Sequence, residues 1–325
     1  MNPILEQGIN LIAWLQASFP WLRSPMQFLS FLGNEDFFLV LLPFLYWCVD
    51  PRLGARVGIL LAISSNVNDF FKLFFHTPRP YWVSAQVKAM SSETSYGLPS
   101  GHAQNTLSVW GLVGAAARGW LRWAMVVLIF LIGFSRVFLA VHFPTDVLLG
   151  WVIGGVVLWA FMRWEARALA WVNRHTLWEK IRLAFIASLL LVLLPLAGLV
   201  FLPPVDPPEW AAMAAQAYPL KPGELAINPR DIGGAVGVAG VFFGLTAGLA
   251  LLFHQTSFDT RRVWWKLLLR FALGAVGVLV LWMGLRAVLP RDASLVAQAL
   301  RYLRYAVTGF WVAYGAPWLF IKLKL

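Results

Sequence analysis

The sequence predicts an all-α fold, a polytopic membrane helix bundle of about nine transmembrane helices. Hydrophobic residues make up 60% of the 325 residues and charged residues only 13%, about half the charged fraction of a soluble domain. Apolar stretches recur along the whole chain, each close to the roughly 20 residues that cross a bilayer. These observations exclude a soluble globular protein.

The N-terminal segment, residues 1–33, is expected to lie at the membrane surface. Residues 4–19 mix apolar side chains such as Ile9 and Trp14 with several polar ones, a pattern typical of an interfacial amphipathic helix. A short spanning helix is the alternative. Polar residues among the first 20, and the lack of a basic start, argue against a cleavable signal peptide.

Nine apolar segments follow, separated by polar or Pro-rich stretches. They lie at about 35–50, 54–75, 101–118, 121–136, 144–163, 183–202, 232–253, 263–289 and 303–321.

A charged stretch at 163–182 is the strongest break in composition. It divides a core at 34–165 from a C-terminal set of transmembrane helices at 166–325. Within the second part, the Pro-rich segment 203–230 is predicted to be a loop outside the membrane.

The net charge of +11 does not indicate a nucleic-acid partner. The basic residues do not form one block but lie mostly at the ends of apolar runs, where they orient a membrane protein and contact anionic lipid head groups. The lone cysteine, Cys48, excludes an intramolecular disulfide bond. The expected partner is therefore the lipid bilayer, and the sequence indicates no oligomeric state.

Three groups of charged and polar residues recur between residues 72 and 146. They read Lys72-x6-Arg79-Pro80, then Pro99-Ser100-Gly101-His102, then Ser135-Arg136-x5-His142-x3-Asp146. Charged side chains in or near a bilayer are costly, so a cluster that persists there indicates a functional site.

His142 and Asp146 suit nucleophilic attack on phosphorus. A histidine attacks through a neutral ring nitrogen, and a carboxylate on the other nitrogen fixes that tautomer and stabilises the developing positive charge. Pro144 favours a helix start between them, so the two side chains are expected to meet. Taken alone, the pair is more typical of a helix-capping Asp beside an interfacial His.

Pro99-Ser100-Gly101-His102 opens a predicted helix. Ser100 is a suitable N-cap, Gly101 lets the backbone approach a ligand, and free amides at a helix start attract anions. His102 would then lie where it can protonate a leaving oxygen. The alternative for this tetrapeptide by itself is an ordinary capped helix.

Lys72, Arg79 and Arg136 provide positive charge. Phosphoryl transfer spreads negative charge over three oxygens, which fixed cations stabilise. Each of them, taken alone, has an alternative explanation: a long basic side chain at a helix end that extends its charge to the membrane interface. Asp69, three residues before Lys72, is placed to pair with it and restrain it, or to make a structural polar contact between helices.

Taken together, the three groups resemble the signature of the type 2 phosphatidic acid phosphatase family, and every signature position matches. The resemblance covers about residues 30–165 and implies a six-helix-type phosphatase core. The nine-span layout and the run Arg79-Pro80-Tyr81-Trp82 also look like the glucose-6-phosphatase branch of that superfamily.

The resemblance implies a role for each matching residue. His142 would be the nucleophile that becomes a phosphohistidine, Asp146 would orient it, and His102 would be the general acid. Phosphate would be bound by Lys72, Arg79, Ser100, Gly101 and Arg136, with Ser135 as a supporting hydrogen-bonder. No metal and no cofactor are expected.

The expected activity is hydrolysis of a lipid phosphate or pyrophosphate. A soluble sugar phosphate such as glucose 6-phosphate is the alternative substrate, and a non-hydrolytic transporter of anionic lipids is a third hypothesis that leaves both histidines unexplained. Soluble vanadate-dependent haloperoxidases share the anion site but not the membrane character of this chain.

Most of the Lys and Arg residues outside the motifs lie on one side of the nine-span topology. The positive-inside rule places that side in the cytoplasm. The motifs would then face the periplasm, cell exterior or lumen, from a bacterial inner membrane or an organelle membrane.

Arg286, Arg301 and Arg304 fall on the same outward side as the motifs, at the ends of the last two spans. We expect them to be interfacial anchors beside Tyr302 and Tyr305. The alternative is that they extend a basic surface toward a head group.

Overall fold

The computed structural model describes residues 3–220, 223–256, 258–290, 292 and 294–325. This part of the chain is helical and contains no β-strand. The first two residues of the predicted surface segment, and residues 221–222 of the predicted 203–230 loop, lie outside the described residues.

Fifteen α-helices are described. They are α1 Pro3–Ser18, α2 Arg23–Phe31, α3 Glu35–Phe44, α4 Pro51–Phe75, α5 Pro80–Val83, α6 Gly101–Ala116, α7 Trp120–Phe138, α8 Pro144–Val172, α9 Leu177–Gly198, α10 Pro208–Ala217, α11 Gly233–Gln255, α12 Trp264–Leu279, α13 Leu285–Val288, α14 Leu295–Phe310 and α15 Ala316–Lys322. Short π-helical turns continue α3, α12 and α14, at Leu45–Val49, Val280–Gly284 and Trp311–Gly315.

Among the described residues, six helices are long and apolar enough to cross a membrane, or seven if the bent pair Pro20–Phe31 and Glu35–Val49 forms one span. The all-α fold is confirmed, whereas the count of nine spans stays a prediction. α6 has 16 residues, fewer than the roughly 20 that usually cross a bilayer.

Three helices differ in extent or position from the segments read from the sequence. α8 runs on to Val172 through part of the charged stretch at 163–182, because its charged residues lie on a helix already begun. α10 forms inside the segment predicted to be a loop, with Pro207 and Pro208 at its start, a position that proline favours. α14 begins at Leu295, before the predicted start at 303, with Ser294 as its N-cap.

The described chain divides into two compact units. Unit 1 consists of Met1–Phe37, Val67–Leu158 and Pro195–Asp231, and unit 2 of Phe38–Asn66, Trp159–Leu194 and Ile232–Leu325. The division at residue 165 that the sequence suggested stays a prediction. All of the predicted site residues lie in unit 1.

In unit 1, α8 packs directly on the start of α6. A methyl group at Gly150 would lie 2.6 Å from the Ser100 carbonyl oxygen, and one at Gly154 would lie 2.5 Å from the Gln104 carbonyl oxygen. Two small residues four apart permit such close contact between membrane helices. This contact sets the position of the Ser100–His102 turn relative to the helix that bears Asp146.

The N-terminal helix α1 buries one face in unit 1. Ile9, Ile12 and Leu15 are buried, Gly8 faces the Phe143 ring, and the Gln16 amide donates to the Phe138 carbonyl at 2.9 Å. The helix therefore supports the turn that carries His142. Its predicted position at a membrane surface stays a prediction.

Unit 2 has its own apolar core. Its buried members are Tyr46, Trp47, Leu252, Phe258, Val278, Ala316 and Phe320. α11 lies along α14, and a methyl group at Gly240 would come within 2.4 Å of the Tyr302 carbonyl oxygen. Small residues thus allow close helix packing here too.

Candidate active site

Lys72 and Arg79, on either side of the turn that follows α4, converge on Ser95. The Lys72 ammonium donates to the Ser95 hydroxyl oxygen at 2.7 Å. Arg79 donates to that same oxygen at 3.1 Å and to the Ser95 carbonyl at 2.6 Å. The loop between α5 and α6 therefore holds both cations in one place.

Arg79 also reaches the turn between α7 and α8. Its guanidinium is fully buried, donates to the Val141 carbonyl at 2.8 Å and lies 3.2 Å from His142 Nε2. A further bond reaches the Tyr96 carbonyl at 3.1 Å. These contacts fix a planar cation beside one nitrogen of the His142 ring.

His142 is positioned by the sharp turn that ends α7. Ala140 has a positive φ of 59°, the Val141 amide donates to the Arg136 carbonyl at 3.2 Å, and the Ala140 amide donates to the Val137 carbonyl at 3.0 Å. This is the Schellman pattern, which glycine usually supplies. Alanine is strained in this conformation, as is common for backbone beside functional residues.

The other ring nitrogen of His142 faces Asp146. His142 Nδ1 lies 3.3 Å from Asp146 Oδ2, and the Phe143 amide donates to the same oxygen at 2.9 Å. Asp146 thus caps the start of α8 and orients the imidazole at once. The helix cap and the His–Asp contact are thus both present, whereas the roles of His142 and Asp146 in catalysis stay predictions.

His142 is 1% exposed and lies in a positive field. Burial, followed by the charges of Arg79, Arg136 and Lys72, lowers the pKa of His142 well below its ordinary value of 6.5. The ring is therefore neutral at physiological pH, the state in which a nitrogen lone pair is available.

The start of α6 adjoins both of these groups. The Ser100 hydroxyl accepts from the Ala103 amide at 3.4 Å, as an N-cap does, while the Ser100 amide donates to the Asp146 carbonyl at 2.9 Å. A methyl group at Gly101 would lie 2.9 Å from Asn68 Oδ1 and 3.9 Å from the Lys72 ammonium. Glycine is needed here because the backbone passes so close to these groups.

His102 is held by a residue that sequence reasoning missed. Its Nε2 lies 2.6 Å from Asn34 Oδ1, at the break between α2 and α3. The ring is within electrostatic range of Arg136, Glu93, Lys72 and Arg79. The second histidine therefore belongs to the same cluster as the first.

Arg136 is buried and paired with an acid. Its guanidinium is hydrogen-bonded to Glu93 and to the Ser30 hydroxyl. Burial by itself would raise the pKa of Glu93, but Arg136 and the nearby Arg79, His102 and Lys72 hold it well below its usual range. The cluster thus contains a permanently charged carboxylate among its cations.

Two predicted supporting residues contact other groups. The Ser135 hydroxyl donates to the Ile132 carbonyl within its own helix at 2.6 Å. Lys72 bonds to Ser95, and within the described residues no ion pair joins it to Asp69. The supporting role of Asp69, as a partner of Lys72 or as a structural polar contact between helices, stays a prediction.

Four residues of the cluster were not predicted: Ser30, Asn34, Glu93 and Ser95. One signal was available for Glu93, since it is the only Asp or Glu between Lys72 and Arg136 in the sequence. Nothing comparable marks Ser30, Asn34 or Ser95, which reach the cluster through tertiary folding.

Residues 203–230 pack against the loop that organises the cluster. The Tyr96 hydroxyl donates to Asp206 Oδ1 at 2.6 Å, Arg230 Nε donates to Asp206 Oδ2 at 2.9 Å, and the Trp82 and Trp210 rings lie 6.0 Å apart. Burial raises the pKa of Tyr96 above its usual range, and the bond to Asp206 adds to this.

The described residues offer no group of three or more His, Cys, Asp or Glu side chains that could hold a metal ion. What they do offer is a neutral histidine with a carboxylate on one nitrogen and a guanidinium beside the other. A second histidine and two more cations lie in the same cluster. This arrangement suits attack on a phosphate ester.

Comparison with known families agrees with this chemistry. A sequence model of the PAP2 superfamily matches residues 53–170, and one described as "PAP2 superfamily phosphatase, transmembrane extension" matches residues 236–325. The chain belongs to the PAP2 superfamily. The family resemblance inferred from the three motifs is therefore confirmed, and all three motifs lie within the first match.

Several known proteins are similar to the chain. Glucose-6-phosphatase 3 of Bos taurus is 33% identical over 185 residues, which is 49% of this chain and 53% of the relative. Glucose-6-phosphatase 2 of Mus musculus is 26% identical over 281 residues, 75% of this chain and 76% of the relative. Lipid phosphate phosphatase delta of Arabidopsis thaliana is 27% identical over 146 residues, 40% and 35% of the two chains.

Among solved structures, the crystal structure of Aquifex aeolicus LpxE matches with a TM-score of 0.42 and 22% identity, covering 47% of this chain and 93% of that one. The chain spans about half the length of the glucose-6-phosphatase 3 relatives that it matches.

Proposed function

We propose that this PAP2 protein is a membrane phosphatase that hydrolyses phosphate monoesters through a phosphohistidine at His142, without a metal ion. The proposal rests on the different neighbours of the two nitrogens in the His142 ring. Nδ1 lies 3.3 Å from Asp146 Oδ2, and Nε2 lies 3.2 Å from Arg79. Nε2 therefore carries the lone pair, which accepts from Arg79 here and would attack phosphorus once the guanidinium bonds to the phosphate oxygens instead.

In the first step, the lone pair of His142 Nε2 forms a bond to phosphorus while the bond from phosphorus to the ester oxygen breaks. The negative charge of the bound phosphate would favour the protonated form of His102, and the leaving oxygen takes its proton from that imidazolium. In the second step, water attacks phosphorus, the phosphorus–nitrogen bond breaks, and phosphate leaves. His102 takes the proton from water, so both histidines return to their initial states.

The remaining residues bind and orient. Lys72, Arg79 and Arg136 would stabilise charge on the three peripheral phosphate oxygens, with the Ser100 hydroxyl and the Gly101 amide at the start of α6 as further donors. Asp146 holds the His142 tautomer and stabilises the positive ring that forms during attack. Glu93, Ser95 and Asn34 keep Arg136, Lys72 and His102 in place.

A lipid phosphate or pyrophosphate is one candidate substrate. A lipid tail would stay in the bilayer while its head group reached His142, with the site opening to the extracytoplasmic side of a nine-span protein. The similarity to lipid phosphate phosphatase delta supports this candidate.

A soluble sugar phosphate is the second candidate. Similarity to glucose-6-phosphatase 2 extends over 75% of this chain, whereas that to lipid phosphate phosphatase delta extends over 40%. The longer match favours a substrate such as glucose 6-phosphate.

The test is phosphate release by the detergent-purified full chain with divalent metals chelated. Diacylglycerol phosphate, a prenyl pyrophosphate and glucose 6-phosphate are compared in parallel. We expect hydrolysis of at least one, lost in His142→Ala and kept in His175→Ala, which removes a histidine that contacts only its own segment. Full activity of His142→Ala would rule out the mechanism, and hydrolysis that requires added metal would rule out metal independence.

A further inference from the structure

A second basic site lies in unit 2, where α13 and α14 approach each other. It is a cavity of about 180 Å³ lined by Arg286, Leu289, Pro290, Arg301, Arg304 and Tyr305. Its volume is several times the roughly 30 Å³ that one water molecule occupies. None of these residues belongs to the cluster around His142.

Arg304 is a buried arginine of this arginine cavity with an unsatisfied hydrogen-bond donor. The residue is only 8% exposed, and its Nε has no hydrogen-bond partner. Its guanidinium lies 4.9 Å from the Tyr305 ring centroid. Since a buried charged donor without a partner is costly, the site is incomplete as it stands.

The described wall of the cavity is positively charged, with three arginines. Its described lining contains no carboxylate. The nearby Asp292 is exposed, and its carboxylate accepts from the Ser294 amide at 2.8 Å. Guanidinium groups around one cavity repel each other, and an anion with several oxygens would relieve the repulsion and give Arg304 Nε a hydrogen-bond acceptor.

The wall is also preorganised. The Trp282 indole donates to the Tyr305 hydroxyl at 3.4 Å, and a methyl group at Gly237 would lie 3.1 Å from the Tyr305 ring. The tyrosine therefore packs against α11 and holds its place beside Arg304. Exposed apolar side chains flank the cavity, with Val288 76% and Leu295 88% exposed, as expected for a rim in contact with lipid.

We propose that this arginine cavity is a second anion site, which binds a phosphate group. Arg301 and Arg304 would hold the phosphate oxygens by paired N–H bonds, the geometry for which arginine is suited. The phosphate is either that of a lipid head group, whose chains would lie along the apolar rim, or free inorganic phosphate. The proposal rests on unit 2 alone and stands whether or not the protein is a phosphatase.

Hydrogen–deuterium exchange of the full chain tests the proposal, because it reads the cavity peptides at 285–305 separately from those of the His142 cluster. One arm adds sodium phosphate to protein in neutral detergent, against sodium chloride at equal ionic strength. The other arm compares nanodiscs of phosphatidylcholine with nanodiscs that also contain phosphatidic acid. Protection of 285–305 in the first arm indicates free phosphate, and protection only in the second indicates a lipid head group.

The matched variants are Arg304→Gln, Arg301→Gln and, as control, Arg261→Gln, an exposed arginine of the same unit outside the cavity lining. We expect each cavity variant to lower the affinity for the ligand that protects 285–305 by about tenfold or more. The control variant should leave that affinity unchanged. Should Arg304→Gln fail to fold, Arg301→Gln carries the test. Absence of protection in both arms, or equal protection in the cavity variants, would overturn the proposal.

Discussion

At the scale of single residues, the positions of the cations in the cluster depend on side chains that belong to none of the three motifs. Ser95 accepts from Lys72 at 2.7 Å and from Arg79 at 3.1 Å, and Glu93 pairs with Arg136. Cations held so close together need fixed acceptors, or they would separate. The loop between α5 and α6 supplies these acceptors.

Substitution of Ser95 by alanine should therefore weaken catalysis without unfolding the protein. Hydrogen bonds to charged groups contribute about 1.5–3 kcal/mol, so we expect kcat/KM to fall by about ten- to a hundredfold. Steady-state phosphate release measures this. Ser84→Ala is the matched control, since that hydroxyl contacts only the Gln86 amide; an equal loss in both variants would contradict a specific role for Ser95.

The depressed pKa of His142 predicts the pH dependence. Because burial and Arg79 hold that pKa well below 6.5, the ring stays neutral as the pH falls through 6.5, and kcat/KM should hold there. Unfolded His142 takes up a proton in that range and the native one does not, so native stability should decrease as the pH falls below 6.5. The measurement is kcat/KM as a function of pH, corrected for substrate ionisation near pH ~6. A fall in kcat/KM with a midpoint at or above pH 6.5 on the acidic side would contradict the prediction.

At the scale of helices, close packing brings the motifs together. α6 and α8 touch through Gly150 and Gly154, and the Ser100 amide reaches the Asp146 carbonyl. The two helices thereby present the second motif to the third. Neither glycine belongs to a motif, yet both control the distance between motifs.

Gly154→Ala should destabilise the protein, because the added methyl group would lie 2.5 Å from the Gln104 carbonyl oxygen. Overpacking of this kind costs about 1–3 kcal/mol, and activity should fall as the motifs move apart. The neighbouring Gly155→Ala is the control, since its methyl group would meet only a Leu107 methyl at 3.9 Å. Thermal unfolding in detergent measures both, and similar midpoints for the two variants would refute the packing argument.

A second contact between segments joins Asp206 to Tyr96, in the loop between α5 and α6, and Arg230 also donates to Asp206. Asp206→Asn weakens the bonds from Tyr96 and Arg230, so we expect faster hydrogen exchange at 93–97 and a lower kcat/KM. Glu209→Gln, an exposed charge on α10, is the control and should change neither. If Asp206→Asn altered exchange within 203–230 alone, the segment would not be coupled to the site.

At the scale of the whole chain, the sequence predicts the fold class and the family better than the number and bounds of the membrane spans. The membrane character, the all-α class and the three motifs follow from composition and spacing, because hydrophobicity and charge are local properties. The partners Asn34 and Glu93 depend on tertiary contacts with His102 and Arg136, which no spacing encodes. Helix ends differ from the prediction where a charged stretch is taken as the end of a helix. An example is α8, which continues to Val172.

The central claim concerns covalent chemistry at one nitrogen of His142. Purified protein is mixed with substrate, quenched within milliseconds in alkaline denaturant that preserves phosphohistidine, digested and analysed by mass spectrometry. The account predicts a phosphoryl group on the peptide that contains His142, absent from His142→Ala. Active enzyme that carries no phosphoryl group at any time, or carries it on another residue, would contradict it.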